Sequence, residues 1–205
     1  MPSAKNSEVF KSWVPDWLIL VGIFLFLIPI ASVLGIYMAG INSAASYYGI
    51  DAIDVRLSVV IFYLAIVCAF PIEKHFFNRF SSRPYLVGCA LIYVAINLIL
   101  YATSSFAVLL ILRFFGGVLS LSFIGISFSM IFRQFHAQRS RVLGYATLYS
   151  SLFATAPLAQ ILDAYVFTEY DFNTIFLVKI YALIPGLLLF LFLLKPKIDL
   201  RPEGK

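Results

Sequence analysis

The sequence predicts an all-α membrane protein, a bundle of six transmembrane helices with both termini on the cytoplasmic side. Three observations carry this expectation. Hydrophobic residues make up 62% of the 205 and charged residues only 12%, far from the balance of a water-soluble domain. Six stretches approach the roughly 20 apolar residues that a helix needs to cross a bilayer with its backbone polar groups paired internally. The basic residues, finally, gather in alternate connections, where cytoplasmic loops retain positive charge.

In chain order, residues 1–16 read as a cytoplasmic tail. Lys5 and Lys11 precede an apolar stretch that is too long for a signal-peptide core and is not closed by a small-residue cleavage site, so the first segment, Trp17 to Ile41, is expected to be retained as a helix. The second, Val55 to Ile72, has an uncharged core only from Leu57 and needs Arg56 to snorkel towards the interface. Pro84 to Tyr101 and Phe106 to Phe132 form the third and fourth, Val142 to Phe167 and Phe172 to Leu194 the fifth and sixth. Pro29, Pro157 and Pro185 lie inside segments, where neighbouring helices re-satisfy the freed carbonyls, so kinks rather than breaks are expected. The domain organisation is therefore one membrane unit, residues 17–194, followed by a basic cytoplasmic tail, 195–205. The connections are too short for a soluble domain.

Twelve of the fifteen Lys and Arg residues fall on one side of this topology, in the two tails and in the loops holding Lys74, Arg79 and Arg83 and then Arg133, Arg139 and Arg141. The opposite loops carry Arg56 against Asp51, Asp54, Glu169 and Asp171. Topology thus accounts for the net charge of +5, and a nucleic-acid partner is not implied. A multi-pass protein of a bacterial inner membrane is the expected location.

Arg113 stands deep within the fourth segment. At a helix centre an arginine costs about 2.5 to 3.5 kcal/mol to insert, and such residues usually face a bundle interior or a watery cavity. Arg113 is expected roughly 11 Å below the outer end of its helix. Asp163 near the end of the fifth segment and Lys179 in the sixth fall at a comparable level. The three either cluster about a solute or ion pathway, or Asp163 and Lys179 snorkel to the headgroups. A stripe of Thr147, Ser151, Thr155, Ala159 and Asp163 recurs every four residues, and Ser120 and Ser127 follow Arg113 on one face. These stripes suit close helix packing as readily as solute contact. Asn42 after the first segment and Asn97 in the third are further polar candidates, the latter also as a simple hydrogen-bonding partner of a neighbour. Cys68 and Cys89 lie in apolar runs, and His75 and His136 have no ligand spacing, so neither a metal nor another cofactor is implied. No nucleophile and base stand at usable spacing and no phosphate loop is present, which disfavours an enzyme.

Several stretches resemble the major facilitator superfamily. Pro71 to Arg83, PIEKHFFNRFSSR, is similar to its loop between helices two and three, with Asn78 at the aspartate position, Arg79 at the arginine and Arg83 among the closing basic residues; Lys74 and Ser81 replace the two glycines. LILRFFGG places Arg113 and Gly116 on the arginine and glycine of the family's fourth helix. SLFATAPLAQ keeps Pro157 of the fifth-helix pattern without its glycines, and YDFNTIF is similar to the aromatic entry to helix six. The resemblance implies the N-terminal half of a drug-efflux type of transporter, with a gating role for Asn78, Arg79 and Arg83 and a solute pathway past Arg113. One half cannot alternate access alone, so the expected protein is a half-transporter for a small amphiphilic or anionic solute, paired with a second six-helix half or with itself. The alternative is a non-transporting membrane scaffold or assembly subunit derived from the same fold.

Overall fold

The computed structural model describes residues 10–79, 82–135 and 138–194, and every regular element among them is helical apart from one isolated β-bridge. The helices are α1 Asp16–Ala39, α2 Ile41–Tyr48, α3 Ala52–Arg79, α4 Ser82–Ala102, α5 Phe106–Gln134, α6 Gln138–Glu169 and α7 Thr174–Leu193. Four stretches among the described residues are long and apolar enough to cross a membrane: Ala52–Pro71, Arg83–Ala102, Phe106–Ile131 and Thr174–Leu193. α1 and α6, with 24 and 32 residues, reach about 36 and 48 Å at the helical rise, against a hydrocarbon core of about 30 Å. Both continue through Pro29 and Pro157, and α3 and α7 through Pro71 and Pro185.

Two features depart from the sequence expectation. Ile41 to Tyr48 forms a separate helix, α2, after a break at Gly40. It ends at Gly49, which takes the left-handed conformation (φ 64°) that an L side chain disfavours, while the Ile50 amide returns to Ala45 O at 3.0 Å. Most of the stretch from Pro71 to Arg83, expected as a loop, is also helical, because α3 runs on to Arg79 and α4 begins at Ser82. Glu73 and Lys74 are good helix formers, and leaving the apolar run does not oblige the helix to stop.

α1 stands in the middle. It packs most extensively on α6, then on α7, and touches α5; α3 lies along α5, and α4 bridges α5 and α7. Two of these seams are backbone-close. A Cβ on Gly186 of α7 would lie 2.8 Å from the Leu25 carbonyl and the Phe26 Cα of α1, and one on Gly117 of α5 would strike the Phe62 carbonyl oxygen and come within 2.8 Å of the Ala65 Cβ of α3. Small residues let membrane helices approach in this way. Facing Gly117, α3 buries Val55, Ser58, Phe62, Ala65 and Ala69 at helical spacing.

Aromatic rings join the seams. Phe26 of α1 stacks on Phe190 of α7 (5.0 Å) and meets Phe123 of α5 edge-on (5.2 Å); Phe123 then meets Tyr93 of α4 edge-on at 6.0 Å. At the end carrying the chain termini the series extends to Phe10, edge-on to Phe190 at 5.9 Å and 1% exposed. The Phe10 amide donates to Gln134 Oε1 (3.2 Å), and the Lys11 amide donates to Leu193 O (3.1 Å), so this segment lies across the ends of α5 and α7. At the opposite end Phe172 is a hub for Tyr47 and Tyr48 of α2, Phe167 and Phe176.

The two adjacent glycines of α5 should respond oppositely to the same change. Gly117→Ala is expected to lower stability by about 1–3 kcal/mol, since fixed backbone opposes the added methyl. Gly116, with nothing among the described residues within 4 Å of its ideal Cβ, should be neutral or gain up to about 1 kcal/mol as Ala through helix propensity. Thermal unfolding of the two variants in detergent provides the comparison.

Candidate functional site

The α3–α5 seam fixes the setting of Arg113, one turn before Gly117. Its side chain is 4% exposed, and its Cζ lies 5.5 Å from the centre of the Phe62 ring, a cation–π approach that offsets part of the desolvation. α4 supplies polar neighbours. Tyr85 Oη donates to Ser122 Oγ (2.9 Å) and the Tyr93 ring rests on Phe123; in this antiparallel register the stretch Tyr93 to Asn97 runs beside the part of α5 that holds Arg113. Asn97 Nδ2 donates to Tyr93 O (2.8 Å), and Tyr93 Oη donates to the Pro29 carbonyl of α1 (3.0 Å). Arg113, Asn97, Tyr93 and the Pro29 carbonyl are thus a buried polar group inside an apolar bundle, where each member needs a partner.

Lys179 is likewise 4% exposed, with Nζ 5.3 Å from the centre of the Phe176 ring. At that burial it is held inside the bundle and does not stretch along its surface. Phe26 gives a common level for both cations, because it meets Phe123 of α5 and lies against Gly186 of α7. Lys179 is two turns from Gly186, about 10 Å, and Arg113 nearly three turns from Phe123, about 15 Å, both towards the α2 end. They share a level approximately, but among the described residues α5 and α7 have no extensive contact and α1 packs on both. No Asp or Glu occurs among the described buried side chains. One guanidinium and one ammonium group thus lie in the low-dielectric interior, where charges act on one another more strongly than in water.

The other candidates separate clearly. Ser120 is buried, but its hydroxyl donates to Gly116 O within its own helix (2.8 Å), as Ser127 does to Phe123 O (2.9 Å); such bonds occupy the donor that a solute would use. Asn42 is exposed on α2. The side chains of Ser151, Thr155 and Asp163 on α6, and of Asn78 and Arg79 on the last turn of α3, lie outside the described residues. Arg83 donates from Nη2 to Leu191 O at 2.9 Å, placing a cation on a carbonyl of the last turn of α7, where the helix dipole favours it. Among the described residues no group of three or more His, Cys, Asp or Glu is arranged to hold a metal ion. Tyr93 and Phe62 are additions to the sequence-based set. A lone phenol in the middle of an apolar segment needs a hydrogen-bond partner when buried, and that was the available signal for Tyr93; nothing local marked Phe62.

Comparison with known proteins locates this architecture. The family model described as Major Facilitator Superfamily matches residues 14–205. Among solved structures, the crystal structure of the human organic anion transporter MFSD10 (TETRAN) superposes with a TM-score of 0.65 at 15% identity, over 89% of this chain and 48% of that one. The chain therefore spans about half the length of that transporter. No curated protein matches the sequence.

Arg83 and Ser120 make a testable pair. Arg83→Ala is expected to cost about 1–2 kcal/mol through loss of a charged hydrogen bond to a helix end, whereas Ser120→Ala should stay within about 1 kcal/mol of the parent. Unfolding midpoints in detergent measure both.

Proposed function

The chain belongs to the major facilitator superfamily, and we propose that it works as one six-helix half of a secondary transporter for an anionic or amphiphilic solute. The carrying observation is the burial of Arg113. A guanidinium stays protonated under all ordinary conditions, and an anionic group on a solute is complementary to a cation held at this depth. Lys179, buried at a similar level, supports the same polarity. The fold neighbour is named an organic anion transporter, which suits an anion in this chain also. Family membership favours transport over catalysis.

Alternating access in this fold needs two halves rocking about a midplane site. The second half would be a sister chain or a second copy, and the basic distribution favours termini in the cytoplasm. Efflux and an inner-membrane location belong to the same reading. The alternative, a non-transporting scaffold or assembly subunit, is favoured by the loop motif, where Asn78 replaces a carboxylate and Lys74 and Ser81 replace glycines.

The two readings separate in proteoliposomes loaded with fluorescein as the organic anion, with the chain alone and co-expressed with its neighbouring reading frame. Flux is expected in at least one arrangement, and Arg113→Ala should reduce it by about tenfold or more, the scale of one lost charge-assisted hydrogen bond. Flux indifferent to Arg113→Ala, or none in either arrangement, would overturn the transporter reading.

A further inference from the structure

We propose that the segment Phe10 to Trp13 and the end of α7 form a docking site for an anionic phospholipid, with Lys11 on the headgroup phosphate and the Trp13 and Phe192 rings against the upper acyl chain. The site faces the membrane and does not depend on what the protein carries.

The depth of the site follows from α7. Its apolar span ends at Leu193, and the Lys11 amide donates to the Leu193 carbonyl at 3.1 Å, so the segment lies where the hydrocarbon core gives way to headgroups. It is fixed there on its inner side. Phe10 is buried with its ring edge-on to Phe190, its amide donates to Gln134 Oε1, and it bridges to Leu194. Val14 is buried too, and its amide donates to Lys11 O at 3.0 Å. A segment held at both ends has little freedom left to lose when a ligand arrives.

The outer side has the composition that a membrane interface selects. Trp13 and Phe192 are each more than half exposed and meet edge-on at 5.8 Å, and Lys11 Nζ lies 4.7 Å from the centre of the same Phe192 ring. One exposed ring therefore holds an indole and an ammonium together. The cation–π contact orients the ammonium and leaves N–H donors for a phosphate oxygen, while indole rings settle at headgroup level. Arg83, on the Leu191 carbonyl, adds a second positive charge to this end of α7. Asp16 is an exposed carboxylate nearby in the chain, but it opens α1, where the positive end of the helix dipole meets its charge. A zwitterionic headgroup offers the same phosphate together with its own cation, so the net attraction to Lys11 belongs to the anionic lipid.

The chain has two tryptophans, Trp13 and Trp17, so the Trp17→Phe protein reports on the site through its own fluorescence. It is reconstituted in mixed bilayers of phosphatidylglycerol and phosphatidylcholine, with one component at a time brominated in the upper acyl chain as a quencher. The anionic lipid is expected to occupy the position beside Trp13 about fivefold more tightly, the scale of one lysine at an anionic surface. Lys11→Gln should bring that ratio to near unity, and Lys11→Arg should keep it. Equal quenching by the two lipids in the parent, or a preference that survives Lys11→Gln, overturns the proposal. So does a preference abolished by inorganic phosphate but not by chloride at equal ionic strength, which would assign the cation to a free anion. Should Trp17→Phe not fold, the same comparison is read from both tryptophans together, and Lys11→Gln must still lower the anionic preference.

Discussion

Arg113 cannot shed its proton and is buried among apolar helices, and much of the arrangement on its side of the bundle follows from that constraint. An isolated charge in an apolar interior is strongly disfavoured. The structure answers it with an aromatic face from α3, through Phe62, and with a phenol and an amide from α4 in the same neighbourhood. Each of these brings its own polar requirements. Asn97 satisfies part of its amide on the Tyr93 carbonyl, and Tyr93 passes its hydroxyl to Pro29. Desolvation of one guanidinium is thereby distributed over α3, α4, α5 and α1, and the group has low tolerance for removal of any single member.

What lets these helices come near enough is the absence of side chains at two positions. Gly117 admits the Phe62 backbone and Gly186 admits that of Leu25. Elsewhere the spacing is set by rings. The series from Phe10 through Phe190, Phe26 and Phe123 to Tyr93 crosses from the terminal segment to α4 without interruption. Close-packed interiors transmit strain. A ring series bounded by two backbone contacts fixes α1 at Leu25 and Phe26 against both α5 and α7.

The sequence made the membrane class, the long helices and the burial of Arg113 legible, because all three rest on costs that composition exposes directly: apolar length and misplaced charge. The level of Lys179 was legible through helical rise. Its lateral separation from Arg113 was not, since that depends on α1 standing between α5 and α7, a packing choice with no local signature. Helix ends were misjudged at Pro71–Arg79 because hydropathy reports where lipid stops, not where hydrogen bonding stops. α2 was missed because its eight residues are only half apolar and are helical through capping by Gly49 and packing on Phe172. Ser120 looked available in the sequence, and only the structure shows its donor returned to Gly116.

Gly116 and Gly117 bear most directly on whether this bundle is sufficient in itself. The family resemblance aligns its glycine with Gly116, but the glycine that packs within this unit is Gly117. Gly116 has no neighbour among the described residues within 4 Å of its missing Cβ, and Phe115 beside it is more than half exposed. A helical glycine costs about 0.5–1 kcal/mol relative to alanine, a cost that close packing offsets at Gly117 and that no described neighbour offsets at Gly116. Lipid gives no benefit from a missing methyl. The same absence of a side chain thus serves two different ends at adjacent positions: at Gly117 it admits the α3 backbone, whereas at Gly116, among the described residues, it leaves the α5 backbone open to approach.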